Sequence, residues 1–89
     1  MMKLNPEYII QQIGDSIVLV PVGEAAGKFH GIVQMNKTAA FIVSCMKEET
    51  TEEAIVEKMA SKYDADRETI AADVKEILGT LRRINALEE

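Results

Sequence analysis

The sequence predicts an α+β fold in which an N-terminal three-stranded antiparallel sheet is followed by three helices. Three observations carry this. Residues 8–13 and 16–20 are rich in β-branched side chains and flank Gly14-Asp15, a pair suited to a two-residue hairpin turn. The stretch 29–46 changes its hydrophobic period from strand to helix at Asn36. Beyond residue 47 the apolar residues recur at helical spacing only, in two groups divided by Asp64-Ala65-Asp66.

Taken in order, the expected strands cover residues 8–13, 16–21 and 29–35, and the expected helices cover 37–47, 51–63 and 67–85. Pro21 ends the second strand because it has no N–H to donate. The segment 22–28, with Gly23 and Gly27, reads as a loop. Alternation along the third strand puts Phe29, Gly31, Val33 and Met35 on the core face and His30, Ile32 and Gln34 on the other. In a simple meander this strand is an edge. Edges are normally defended by charge, proline or a bulge, yet residues 31–35 carry neither charge nor proline.

Asn36 is placed to cap the first helix by accepting a hydrogen bond from a free N–H of its first turn. Ala39, Ile42, Val43 and Met46 give that helix an apolar stripe, and Ala40 and Phe41 widen it until little is left for water. It should be the central, buried helix. Thr50-Thr51-Glu52-Glu53 reads as a capping box for the second helix, with Thr50 accepting from residue 53 and Glu53 reaching back. Ile55, Val56, Met59, Ala60 and Tyr63 form its stripe. Asp66 is placed to cap the third helix, whose Ile70, Val74, Ile77, Leu78, Leu81 and Ile84 repeat over about four turns. Lys75 and Arg82 flank this stripe on one side and Asp73 and Thr80 on the other.

At 89 residues the chain is expected to form one small domain, 1–89, near the size at which a single core suffices without metals or disulfides. The lone Cys45 excludes an internal disulfide and suits a reducing compartment; on the buried helix it reads as a small apolar core residue. No run of apolar residues has signal-peptide or membrane-spanning length. A cytoplasmic protein with no membrane partner is expected. The net charge of −5 falls entirely in residues 47–89, which hold 7 Lys/Arg against 12 Asp/Glu. That imbalance repels phosphates and argues against nucleic acid as a partner. Catalysis would need a nucleophile, a base and an orienting group in one cleft. Here the single His30 and Cys45 have no evident partners, and Cys-x-x-Cys pairs and phosphate-cradling loops are absent from the sequence. No enzyme activity, cofactor or metal is expected.

A leading sheet followed by three helices describes a winged helix-turn-helix. The segment Met35-Asn36-Lys37-Thr38-Ala39-Ala40-Phe41-Ile42 resembles the hallmark of the pyrroloquinoline quinone biosynthesis protein D family. Thr50 to Val56, Lys62-Tyr63-Asp64-Ala65-Asp66 and Ala72-Asp73-Val74 are similar to that family's later segments in order and spacing, so the resemblance spans roughly 8–85. Two departures stand out: Ala39 where glycine is common, and Arg83-Ile84-Asn85-Ala86-Leu87 in place of a Gly-Leu-Leu/Ile ending.

What the resemblance implies is a non-catalytic recognition element for the leader segment of a ribosomally made precursor peptide. The leader would add as a strand to the third strand, beside the third helix, and its core would pass to a modifying enzyme such as a radical S-adenosylmethionine protein. Carried over residue by residue, the ledge would be His30, Gly31, Ile32, Val33, Gln34 and Met35. The helix wall would be Val74, Lys75, Leu78, Leu81 and Arg82, with the two cations meeting acidic leader residues. The physics agrees with the implication, since an undefended strand edge offers sequence-tolerant backbone pairing. Two alternatives stay open: a DNA-binding winged-helix regulator, and a structural subunit that self-associates through the edge strand.

Overall fold

In a computed structural model of the chain, which describes residues 1–28 and 32–89, the elements are β1 (Lys3–Leu4), β2 (Tyr8–Ile13), β3 (Ser16–Pro21), α1 (Glu24–Lys28), β4 (Val33–Met35), α2 (Lys37–Cys45), α3 (Glu52–Lys62), α4 (Arg67–Arg83) and β5 (Leu87–Glu88). The fold is α+β, with a three-stranded antiparallel sheet in the order β2-β3-β4. Among the described residues four helices are present where three were expected.

The hairpin forms as the sequence predicts. Ile13 pairs with Ser16, so Gly14-Asp15 is the whole turn, and Gly14 takes the positive φ of 61° that a side chain would resist. Tyr8, Ile10 and Leu19 share the inner face of the sheet with Met35 and pack on the helices. The core they cover contains Ile42, Val43 and Met46 around α2, Ile55 and Met59 from α3, and Ile70, Val74, Leu78 and Leu81 from α4. Helix α2 contacts β3, β4, α3 and α4 and is the central element expected of it.

The segment 22–28 corrects the sequence reading, because Glu24–Lys28 is a short helix rather than loop. Its start is set from a distance. The Glu7 carboxylate accepts from the Glu24 N–H at 3.1 Å, Gly23 turns the chain at φ 63°, and Ala25 is buried against the core. A carboxylate 17 residues upstream satisfies an N–H that local sequence would leave free.

The caps divide similarly. The Asn36 side chain accepts from the Ala39 N–H at 2.7 Å, as predicted. For α3 the cap is Thr51, not Thr50: its hydroxyl accepts from the Ala54 N–H at 3.1 Å. Thr50 is instead buried and exchanges two backbone hydrogen bonds with Met2, at 2.8 and 2.9 Å. That bridge displaces the cap by one residue. Asp66 stands at the N-cap of α4 with no side-chain cap hydrogen bond.

The chain termini meet. β1 pairs antiparallel with β5, Lys3 opposite Glu88 and Leu4 opposite Leu87, burying Met2, Leu4 and Ala86. Helix α4 stops by a C-terminal turn in which Asn85 takes φ 62°, the Ala86 N–H donates to Leu81 O at 2.8 Å, and the Asn85 N–H donates to Arg82 O at 3.2 Å. This is a Schellman arrangement with asparagine in glycine's usual place. Cys45 is half-buried, more open than the core position expected of it, and burial raises its thiol pKa against the opposing pull of Lys58 and Lys62.

Candidate peptide-binding site

Strand β4 lies at one margin of the sheet, paired through Ile17–Met35, Val18–Gln34 and Leu19–Val33 to β3 on one side only among the described residues. Its outer edge therefore presents backbone N–H and C=O groups. Alternation falls as predicted where it is described: Met35 is buried, Val33 half-buried and Gln34 exposed, its amide donating to Ser16 Oγ at 3.5 Å. Ile32 precedes the strand and is 56% exposed. His30 and Gly31, along with Phe29, lie outside the described residues.

Immediately beyond β4 a recess of about 170 Å³ opens between the start of α2 and the middle of α4, lined by Asn36, Thr38, Ala39, Ile42, Asp73, Glu76 and Ile77. A second recess of about 250 Å³ lies toward the end of α4, between Tyr8, Ala25, Arg83 and Ile84 among others. Ile77 and Ile84 are seven residues apart, two helical turns on one flank of α4, and both are half-buried. This flank borders the sheet and α2.

The structure separates the helix wall expected from the sequence into two groups, neither of which lines these recesses. Val74 and Leu78 are 0% exposed and Leu81 2%, so they are core residues that back the wall from behind. Lys75 and Arg82 lie on the opposite flank with Ala71, which borders Glu52, Glu53 and Val56 of α3. Arg82 is engaged there by Glu89, with its guanidinium 2.9 Å from the carboxylate; that hydrogen bond raises the Arg82 pKa and lowers that of Glu89. The reason is the placement of the stripe. Buried Ile70, Val74, Leu78 and Leu81 define its centre, and the extra apolar residues Ile77 and Ile84 extend it toward Asp73 and Thr80 only. That asymmetry was the sequence signal for which flank faces the sheet.

The electrostatics of the first recess follow. Its charged lining residues are Asp73 and Glu76, both acidic and exposed, so the charge it offers a visitor is opposite to the one Lys75 and Arg82 would have supplied.

The family model for Coenzyme PQQ synthesis protein D (PqqD) matches residues 4–87. The chain belongs to the PqqD family. Two solved structures share the fold: "TbiB1 in Complex with the TbiA(beta) Leader Peptide", 23% identical over 97% of this chain and 94% of that chain with a TM-score of 0.75, and "Lasso peptide synthetase B1 complexed with the leader peptide", 23% identical over the same shares with a TM-score of 0.73. Among curated proteins none matches. The PqqD match runs from Leu4 in β1 to Leu87 in β5, the two residues that face each other across the end strands, and Asn85 makes the helix stop within the segment that departs from the family's ending.

Proposed function

We propose that this chain binds the leader segment of a ribosomally synthesised precursor peptide and presents it to a separate modifying enzyme without catalysing a reaction itself. The observation that carries the reading is the one-sided pairing of β4 beside a recess walled by α4, in a chain of the PqqD family. Both solved neighbours hold a leader peptide. An extended leader added to β4 gains backbone hydrogen bonds regardless of sequence, and alternate side chains enter the pockets between strand and helix.

In this reading residues 1–89 act as one recognition domain of winged helix-turn-helix type. The ledge is Ile32, Val33, Gln34 and Met35; the sequence also assigns it His30 and Gly31, which lie outside the described residues. The wall is Asp73, Glu76 and Ile77, with Val74, Leu78 and Leu81 as its rigid backing. Lys75 and Arg82 are on the other flank of α4, where Arg82 pairs with Glu89. The enzyme served is a peptide-modifying one, of the radical S-adenosylmethionine class by the family's pattern. No described helix is long and apolar enough to cross a membrane.

A leader titration into isotope-labelled chain tests the reading. Amide shifts are expected at residues 32–36 and 73–84, with slowed hydrogen exchange along β4. Saturable binding that moves only residues 52–62 would defeat it. Val33→Pro, which alters the strand, should weaken binding more than the core change Ile55→Val; equal affinities would count against strand addition.

A further inference from the structure

Helix α2 has two working sides. Thr38, Ala39 and Ile42 face α4 and line the first recess, whereas Lys37, Ala40, Phe41 and Ser44 lie about half a helical turn away. On that second side is a larger, open depression of about 770 Å³ that uses none of the residues of the peptide site. Its floor is apolar and aromatic: Ile10 and Ile17 from the sheet, Ala40 and Phe41 from α2, and Tyr63 at the end of α3.

The floor is rigid. Phe41 and Tyr63 meet edge to face, ring centroids 6.0 Å apart at 85°, a favoured geometry for aromatic pairs. The rim is cationic. Lys37, Lys47 and Lys62 border the depression, and no Asp or Glu lines it, although the whole chain has 15 acidic residues against 10 basic. Lys62 Nζ stands 4.4 Å from the Phe41 ring centroid and 5.7 Å from that of Tyr63, so cation–π attraction holds this charge at the edge of the aromatic floor.

We propose that this depression docks an acidic amphipathic helix of a second protein. Apolar side chains of such a helix fill the floor, and carboxylates on its flanks meet the three lysines. A nucleic-acid backbone would satisfy the lysines and leave the floor uncovered, while so open a shape buries too little of a small molecule to hold it. Identifying the second protein with the peptide-modifying enzyme rests on the function proposed above; the docking chemistry does not. Because α2 separates the two sites, peptide and partner bind together rather than in competition.

The test uses labelled full-length chain and three probes. These are a synthetic helical peptide with Leu and Phe at i, i+3, i+4 and i+7 flanked by Glu, the same peptide with Lys for Glu, and a DNA duplex. The acidic peptide should shift Ala40, Phe41, Ser44, Lys62 and Tyr63 saturably and leave Asp73, Glu76 and Ile77 unmoved. The double variant Lys37→Glu/Lys62→Glu should lower its affinity roughly tenfold, as should raised salt. The variant's unchanged response to leader peptide at residues 32–36 shows that it is folded. No saturable shift, equal affinity for the Lys peptide, shifts driven by DNA instead, or a doubling of mass in solution lost in the double variant would each overturn the proposal. If the leader fails to bind wild type while the acidic peptide still occupies the depression, the peptide-recognition reading falls and this one stands, with a native circular dichroism spectrum then reporting the variant's fold.

Discussion

The hydroxyl of Tyr8 donates to the carbonyl oxygen of Ile84 at 2.6 Å across 76 residues of sequence. Tyr8 opens the sheet and Ile84 closes α4, so one hydrogen bond ties the first strand of the hairpin to the end of the helix that walls the candidate site. Tyr8 is 4% exposed, and the Ile84 carbonyl belongs to the last turn of a helix, where no intrahelical donor remains.

Replacing Tyr8 by Phe keeps the ring and strands that carbonyl. The pair is part-buried and borders the second recess, so the expected loss is about 1 kcal/mol, the usual net contribution of one hydrogen bond, which in a domain of this size lowers Tm by roughly 4–8 °C per kcal/mol. Urea unfolding of both proteins measures it, with an unchanged slope as the sign that only stability moved. A variant as stable as wild type would show that the bond contributes nothing net.

The same group sets an alkaline limit. Burial first, and the Glu7 carboxylate second, raise the Tyr8 pKa above its ordinary value of 10.0. The folded state therefore keeps the phenol proton longer than the unfolded chain does. Its contribution is complete below about pH 10 and is lost as pH rises through the folded pKa. The advantage of wild type over Tyr8→Phe should shrink when unfolding is followed from pH 9 upward, in roughly half-unit steps; an advantage that holds or grows there would contradict the assignment.

Asn85 supplies a third test. At φ 62° it sits where a β-branched residue is strained, so Asn85→Val should destabilise by about 1–2 kcal/mol. Asn85→Gly should be neutral or stabilising by up to about 1 kcal/mol. Thermal melts of the pair give the comparison, and equal values for Val and Gly would deny the left-handed helix stop.

The last prediction concerns charge at the peptide site. With Asp73 and Glu76 lining the recess, Asp73→Lys/Glu76→Lys should weaken a leader carrying Lys or Arg opposite α4 and strengthen one carrying Asp or Glu there. Each exposed pair is worth up to about 1 kcal/mol, so a change of several-fold in each direction is expected by calorimetry. The matching reversal Lys75→Glu/Arg82→Glu, on the flank facing α3, should leave both affinities close to wild type. If that second pair changes leader affinity more than the first, the wall has been placed on the wrong flank.

The sequence by itself determined the hairpin, the central helix capped by Asn36, the cores of the last two helices and the Val33–Met35 end of the strand expected over 29–35, because each rests on local periodicity or on a side chain bonding within three residues of itself. PqqD membership was legible for the same reason, through motifs whose order reflects that local pattern. Only the tertiary structure decided the rest. Helix α1 depends on a Glu7 carboxylate 17 residues away, the cap of α3 moved to Thr51 because Thr50 bridges to Met2, and the end strands exist only as a pair between the first and last residues. What packs beside each flank of α4 was likewise beyond local pattern: Ile77 and Ile84 mark the wider apolar flank in the sequence, not the segment that lies against it. A helical stripe says how wide the buried face is, but the neighbour that lies beside each edge is settled when distant segments pack, and that choice put Asp73 and Glu76, rather than Lys75 and Arg82, in the recess shared with the start of α2.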